Sequence, residues 1–152
     1  MSSSSLLTAT ACYAATALGY LAERHGVPAR IPDIAKARGI PRPYLAKIVR
    51  KLSAKGIVAT RRGVGGGVVL AVDPASLSLL DLCRALDEPA LVTRCVLGRA
   101  CCDDELACPL HEAIQKIRAL QAKLLASTPL SEIGRRDAEQ RAAQKDLRKR
   151  GA

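Results

Sequence analysis

Residues 31–71, IPDIAKARGIPRPYLAKIVRKLSAKGIVATRRGVGGGVVLA, decide the fold of this chain. The segment begins with a short helical pattern over residues 33–38 that stops at Gly39. A second helix is predicted after Pro41 and Pro43, because proline suits a turn and the first position of a helix. Two short helices joined by a tight turn predict a helix-turn-helix.

The second of these helices is amphipathic. Four apolar residues with i, i+3, i+4, i+7 spacing form its predicted core stripe: Leu45, Ile48, Val49 and Leu52. Four basic residues lie off that stripe: Arg42, Lys47, Arg50 and Lys51. The exposed face of the helix is therefore predicted to be cationic.

A hairpin is predicted directly after this helix. The β-branched run IVAT is followed by Arg61 and Arg62, then by the glycine-rich residues 63–67, then by VVLAV. A phosphate-binding loop would require a Lys-Ser/Thr pair and a following helix, and neither is present. The pattern favours a DNA-contacting wing that places two arginines against phosphate or in a minor groove, with an ordinary flexible hairpin as the alternative.

The charge of the chain, +10 in total, is concentrated at its two ends. Residues 1–70 carry eleven lysines and arginines against two acidic residues, a net charge of +9. Residues 71–134 have a net charge of −3, and residues 135–152 have +4. A strongly basic amino-terminal half is typical of a protein that binds a polyanion, although a merely solvated cationic surface would have the same composition.

Composition predicts a mainly α protein. Aromatic residues make up 2% of the 152 residues, so the core must consist of Leu, Ile, Val and Ala. The chain contains no run of about 18 apolar residues, and the amino terminus has no basic segment before its apolar stretch. We therefore expect a cytoplasmic protein that does not associate with membranes. In a reducing compartment, its six cysteines are available for metal ligation or redox chemistry.

A cysteine-rich segment occupies residues 95–111, CVLGRACCDDELACPLH. Its thiols are separated by glycine and charged residues with no hydrophobic period, which indicates a loop able to wrap a soft metal centre. The neighbouring residues Cys101 and Cys102 are alternatives, because two adjacent thiols rarely both reach one cluster. The predicted metal site therefore combines Cys95 and Cys108 with either Cys101 or Cys102.

Three further helices are predicted. The first covers residues 8–24. Another follows Ser78 and Asp81, which have capping-box spacing, and its apolar face includes Cys83, interpreted as a buried core thiol. A long helix begins at Pro109, and its apolar residues are at core spacing: Ile114, Ile117, Leu120 and Leu124. This helix needs a partner, for which a second subunit is the natural choice.

These elements divide the chain into three parts. Residues 1–74 form a winged helix-turn-helix DNA-binding domain, and residues 75–133 contain the Cys-rich sensor loop and the dimerisation helix. Residues 134–152 are charged and poor in large apolar side chains, which predicts a frayed helix or a flexible tail.

The segments YAATALGYLA, residues 31–71, LLDLCRAL and CVLGRACCDDELACPLH together resemble the Rrf2 superfamily of winged-helix regulators over residues 6–133. Its members include an iron-sulfur cluster regulator, a nitric-oxide-sensitive repressor and a repressor of cysteine metabolism. The resemblance implies a homodimeric repressor or activator that binds a near-palindromic operator. It also implies a [2Fe-2S] or [4Fe-4S] cluster in members that have the cysteines.

The resemblance also assigns DNA contacts. The recognition-helix contacts of the family fall here on Pro41, Pro43, Tyr44, Ala46 and Lys47, and its wing arginine falls on Arg62. Ala46 replaces a glutamate that shapes base choice, and the two prolines replace serines, so the operator preference is expected to differ.

In the wing, the family's proline and tyrosine are replaced by Val64 and Val68. The wing contacts expected for this chain are the following: Arg61, Arg62 and the backbone of Gly63 and Gly65.

For the cluster, the resemblance favours Cys95, Cys102 and Cys108 as ligands. His111 matches a histidine ligand of the cluster regulator. Cys12 stands where the nitric-oxide-sensitive repressor has an aspartate that ligates the cluster of the partner subunit, so either residue is a candidate fourth ligand. A helix-facing thiol at Cys12 and a solvated or capping histidine at His111 are the structural alternatives.

Other functions remain open at this stage. The cysteines and His111 form a Cys₃His set that also suits structural zinc without sensing. Oxidation of Cys101 and Cys102 is a cluster-free switch, and an iron-sulfur electron-transfer or carrier protein is a further alternative. An enzyme is not predicted, because neither His25 nor His111 has a nucleophile or carboxylate constellation around it.

Overall fold

A computed structural model of the chain describes residues 7–88, 97 and 107–150. Within these residues the chain forms six helices and one two-stranded sheet: α1 (Ala9–Ala22), α2 (Ile31–Arg38), α3 (Arg42–Ala54), β1 (Val58–Arg61), β2 (Gly67–Leu70), α4 (Leu79–Ala85), α5 (His111–Ala126) and α6 (Leu130–Arg150). This architecture confirms the mainly α, winged helix-turn-helix fold. None of the described helices is long and apolar enough to cross a membrane.

Helices α1, α2 and α3 pack around one apolar core. The apolar stripe predicted for α3 is buried in full, and it meets Leu18 of α1 and Ile34 of α2. α2 ends at Gly39, whose φ of 63° is a conformation that glycine adopts without strain. α1 begins as predicted, with Thr8 as its N-cap, but it ends at Ala22 because residues 23–26 form turns.

The predicted hairpin is present. β1 and β2 are antiparallel, and Val58 pairs with Leu70 at one end while Arg61 pairs with Gly67 at the other. The other edge of β2 is covered by Ala29, which exchanges two backbone hydrogen bonds of 2.8 and 3.0 Å with Val68. The hairpin is thereby attached to the segment between α1 and α2.

Helix α4 begins with the predicted capping box. The Ser78 hydroxyl accepts a hydrogen bond from the Asp81 backbone, and the Asp81 carboxylate accepts one from the Ser78 backbone. The same end of α4 is tied to the connection between α5 and α6, because the Leu79 N–H donates to the Thr128 carbonyl at 2.9 Å. Cys83 lies on the inner face of α4 and is buried, as predicted.

Helix α5 begins at His111, two residues after the predicted start at Pro109, which lies in the preceding turn. The apolar stripe predicted for it is largely outside the core of the single chain. Ile117, Leu120 and Leu124 are 60%, 69% and 58% exposed. Leu125 is the apolar residue by which α5 reaches the core.

Helix α6 departs from the predicted organisation. Residues 134–150 continue a regular helix that starts at Leu130, so the boundary predicted at residue 133 falls inside it. α6 packs closely against α1 through Gly134, because a Cβ added there would lie 2.8 Å from the Gly19 carbonyl oxygen. A glycine at this position allows the two backbones to approach each other where any side chain would hold them apart.

Ion pairs complete the attachment of α6. Arg38 of α2, whose side chain is 6% exposed, contacts Glu23 at 2.6 Å and Asp137 of α6 at 3.4 Å. Arg141 of α6 also pairs with Glu23. The Arg38 guanidinium lies over the ring of Tyr20, 5.3 Å from its centroid, in a cation-π arrangement. Charged residues of a segment that the sequence predicted to be a frayed helix or a flexible tail therefore bind α6 to α1 and α2.

Candidate nucleic-acid interface and cysteine ligands

The exposed face of α3 and the adjacent wing form one cationic surface. The surface contains five basic side chains that the sequence predicted to be exposed: Arg42, Lys47, Arg50, Arg61 and Arg62. Within residues 7–88 and 107–150, none of them forms an ion pair. All five are exposed. Arginine and lysine without acidic partners are available for phosphate oxygens and base edges, and this is the arrangement expected of a helix that enters a DNA groove.

The wing tip is shaped by its glycines. The Gly66 N–H donates to the Gly63 carbonyl at 3.0 Å, and Gly63 and Gly65 have φ values of 91° and 77°. A Cβ at Gly66 would lie 2.3 Å from the Arg61 carbonyl oxygen, so a side chain does not fit there. The tight tip leaves Val64 fully exposed and projects the backbone of Gly63 and Gly65 outward beside Arg62.

Tyr44 lies in the first turn of α3, and its hydroxyl group already has a protein partner. Its oxygen is 2.6 Å from the Thr10 hydroxyl of α1, and the two share a hydrogen bond. Its ring packs edge-on against Tyr13, with 5.7 Å between the ring centroids. Tyr44 thus links the start of α3, the predicted recognition helix, to α1, in addition to lying on the exposed face.

Lys51 differs from the other predicted contacts. Its ammonium donates a hydrogen bond of 2.6 Å to the Leu86 carbonyl and lies 3.0 Å from the Asp87 carboxylate. The hydrogen bond from Lys51, with its charge, lowers the pKa of Asp87 below the usual value of 3.8. No signal in the sequence relates Lys51 to residues 86 and 87, because the contact is between elements far apart in the chain.

The predicted cluster ligands are only partly within the described residues. Cys95, Cys101 and Cys102 lie outside them. Cys108 is half-buried in the turn before α5, where its carbonyl accepts a hydrogen bond from the His111 N–H at 2.9 Å. Among residues 7–88 and 107–150, no three His, Cys, Asp or Glu side chains come together to hold a metal ion.

Cys12 and Cys83 have different environments. Cys12 is half-buried on α1. Burial, with smaller contributions from the neighbouring Glu88 carboxylate and Cys12, raises the pKa of the Cys83 thiol to about 11. Since iron binds the thiolate, a thiol with this pKa is a poor ligand at neutral pH. Cys83 is accordingly a core thiol of α4, as the sequence predicted.

Sequence reasoning did not find Thr8, Thr10 or Glu88. The Glu88 side chain is 2% exposed, and its carboxylate accepts hydrogen bonds from the Thr8 N–H at 3.0 Å and the Thr8 hydroxyl at 2.7 Å. An acidic residue after a helix reads as a solvated surface residue. Only the fold shows that this one is buried against the start of α1.

Comparison with known proteins identifies the family. Residues 7–136 match the family model described as "Rrf2: Iron-dependent Transcriptional regulator". The chain belongs to the Rrf2 family. It is 30% identical over 128 residues to the HTH-type transcriptional regulator IscR of Vibrio atlanticus, which covers 84% of this chain and 73% of that protein.

Solved structures agree with this assignment. CymR, the global cysteine regulator of B. subtilis, superimposes with a TM-score of 0.71 at 26% identity, covering 84% of this chain and 95% of that one. T. potens IscR superimposes with a TM-score of 0.68 at 25% identity, covering 88% of each chain. The Rrf2 chain described here is thus a DNA-binding transcriptional regulator of winged-helix fold and not an enzyme.

Proposed function

We propose that this Rrf2 protein is a homodimeric, cytoplasmic regulator whose affinity for a near-palindromic operator is controlled by an iron-sulfur cluster. DNA binding is supported by the exposed face of α3 and the wing, where five exposed cations have no ion-pair partner among the described residues. Lys47 and the first turn of α3 would enter the major groove, and Arg62 with the glycine backbone of the tip would reach an adjacent groove or phosphates.

The homodimer is supported by α5. Its exposed stripe of Ile117, Leu120 and Leu124 is a continuous apolar surface on one side of the helix. Such a surface is the kind that subunit contacts cover, and a two-fold dimer brings the same stripe of each subunit together. Two recognition helices related by that axis would read two half-sites.

The cluster is supported by the donor chemistry of the chain and by the family description, which is iron-dependent. Cys95, Cys102 and Cys108 would hold it, with Cys101 as the alternative to Cys102. Cys12 of the other subunit or His111 would be the fourth ligand. Thiolate-ligated clusters change charge or are lost on reaction with oxygen or nitric oxide, and this supplies the sensing chemistry.

A ligand from α1 would connect the sensor to the DNA-binding half. Cys12 lies one residue before Tyr13, which packs against Tyr44 of the recognition helix. Loss of the ligand bond would release α1 and change the spacing of the two recognition helices. Couplings of this kind change affinity by about 5- to 150-fold.

Anaerobic purification with quantification of iron, sulfide and zinc tests the cofactor. We expect visible absorbance with stoichiometric iron and sulfide; a colourless protein with one zinc per chain would instead be a zinc-stabilised DNA-binding protein. Replacing Cys12, Cys101, Cys102 and His111 by Ala one at a time identifies the ligands. If Cys12→Ala and His111→Ala both keep a full and equally stable cluster while Cys101→Ala loses it, the assignment is wrong.

Operator titrations test the DNA contacts. Arg62→Ala is expected to weaken specific binding by about 1–3 kcal/mol, because it removes a base or groove contact. Arg84→Ala, which removes an exposed arginine of α4 far from the wing in sequence, is the matched control and should bind within about twofold of the wild type. A wild type without sequence preference, loaded or not, would contradict the proposal and favour a carrier protein.

A further inference from the structure

The turn that ends α4 is a defined structural unit that precedes the cysteine-rich segment in the sequence. Leu86 is the C-cap, and Asp87 follows with a φ of 52°. The Asp87 N–H donates to the Arg84 carbonyl at 3.1 Å and the Glu88 N–H to the Cys83 carbonyl at 2.9 Å, which together form a Schellman motif. We refer to residues 86–88 as the α4 turn. The chain continues from it towards Cys95.

The carboxyl-terminal end of α3 is fixed to the α4 turn by Lys51. One ammonium group contacts both the Leu86 carbonyl, at 2.6 Å, and the Asp87 carboxylate, at 3.0 Å. The side chains of Lys51 and Asp87 are 42% and 73% exposed, so their ion pair adds little to stability. Its directional geometry matters more, because it defines where the last turn of α3 lies relative to the α4 turn.

The amino-terminal end of α3 is connected to the same turn through α1. Glu88 holds Thr8, the N-cap of α1, by two hydrogen bonds to its buried carboxylate. Two residues further, the Thr10 hydroxyl bonds to the Tyr44 hydroxyl in the first turn of α3. Both ends of the recognition helix are therefore joined to three consecutive residues of the chain by short polar contacts.

The remaining contacts of α3 are of a different kind. Its inner face packs through Leu45, Ile48, Val49 and Leu52. Apolar burial is non-directional, whereas a hydrogen bond depends on the distance and angle between two particular groups. The polar contacts to the α4 turn accordingly add directional constraints on α3 to those of its packing.

We propose that the α4 turn positions the recognition helix at both ends, and that changes in the following cysteine-rich segment reach α3 through Lys51 and through the Glu88–Thr8 contact. Lys51 is then a positioning residue that acts through α3, and not a phosphate contact. This inference rests on the proposed sensing function for its trigger. The role of Lys51 relative to DNA does not depend on that function and can be measured separately.

The salt dependence of DNA binding tests the role of Lys51 in the cluster-free protein. Arg50→Met removes an exposed cation without an ion-pair partner among the described residues, and it should reduce the slope of log K against log salt by about one. Lys51→Met removes a cation that the protein already neutralises and should leave the slope unchanged. If Lys51→Met reduces the slope as much as Arg50→Met does, Lys51 contacts phosphate and the inference is wrong.

The ratio of operator dissociation constants between the cluster-loaded and cluster-free protein tests the transmission. We expect a wild-type ratio within the usual range of about 5- to 150-fold. It should be smaller than in the wild type in Lys51→Met and in Thr8→Val, each of which removes one of the two contacts, and it should be unchanged in Arg50→Met and in Thr8→Ser. Thr8→Ser is the matched control because serine keeps both the hydroxyl and the N-cap.

The possible results distinguish a failure of this inference from a failure of the proposed sensing function. A wild-type ratio that persists in Lys51→Met and Thr8→Val would overturn the transmission through the α4 turn and leave the sensing function intact. A wild-type ratio of unity would overturn the sensing function itself. Iron content and circular dichroism of each variant, equal to the wild type, would confirm that changes in the ratio come from coupling and not from lost cluster or fold.

Discussion

Helices α5 and α6 show opposite relations between composition and burial. α5 has an apolar stripe, yet Ile117, Leu120 and Leu124 are exposed in the single chain. α6 is rich in charge, yet it packs against α1 through Gly134 and pairs Asp137 and Arg141 with buried or half-buried charges. The difference teaches that α6 completes the fold of one chain, whereas α5 presents a surface that one chain leaves uncovered.

Removing Arg38, whose guanidinium pairs with both Glu23 and Asp137, should have the largest effect on stability. In Arg38→Leu, the half-buried carboxylates of Glu23 and Asp137 lose their shared partner, and their like charges remain close together. We expect the free energy of unfolding to fall by about 3 kcal/mol, as measured by urea denaturation. Arg136→Leu, which removes an exposed arginine of α6 that does not contact α1 or α2, should change it by less than about 0.5 kcal/mol.

The close approach of α6 to α1 can be tested by adding one methyl group. Gly134→Ala places a Cβ 2.8 Å from the Gly19 carbonyl and should lower the free energy of unfolding by about 1–2 kcal/mol despite the better helix propensity of alanine. In Gly19→Ala the closest atom would be 3.3 Å away, a tight contact that a shift of a few tenths of an ångström relieves, so this control should be less destabilised than Gly134→Ala. Equal thermal midpoints for the two variants would show that α6 does not pack as described.

The capping box beside the α5–α6 connection should contribute less. Ser78→Ala is expected to cost about 1 kcal/mol at neutral pH. A hydrogen bond from the Ser78 side chain lowers the pKa of Asp81 below 3.8. A carboxyl group with a lowered pKa stabilises the fold above its unfolded pKa, and that stabilisation is lost as the pH falls through the folded value. The difference between Ser78→Ala and wild type should therefore shrink below about pH 4; a constant difference would contradict the interaction.

Changing α5 should have the smallest effect on the fold of one chain. Leu120 is exposed, so Leu120→Asp should leave the far-ultraviolet circular dichroism unchanged. In a dimer it would place a charge in the apolar seam, and sedimentation should show monomers at micromolar concentration. Glu112→Asp, at an exposed acidic position of the same helix, is the control and should stay dimeric. A monomeric wild type would contradict the dimer.

The sequence predicts one half of the molecule better than the other. The period of α3, the glycine tip of the wing and the Ser78 cap are local patterns, and the structure contains all three. α6 was not predicted as a packed helix, because its contacts depend on a single glycine and on charges whose partners are far away in sequence. The same holds for Lys51, whose partners in the α4 turn have no local signature.

For the candidate site, the residue types were more informative than the contacts. The cationic positions of α3 and the burial of Cys83 follow from helical periodicity. The buried position of Glu88 does not follow from periodicity, because Thr8, which lies 80 residues earlier in the sequence, stabilises the carboxylate there. Polar groups buried by long-range pairing are the class of residue that a periodic pattern misses.

The most direct test of the account is an anaerobic titration of operator DNA, selected from a genomic library, with the cluster-loaded and cluster-free protein at one salt concentration. We expect binding that depends on both half-sites and dissociation constants that differ at least about fivefold between the two forms. Equal dissociation constants for the two forms, or equal binding to a scrambled sequence, would contradict it.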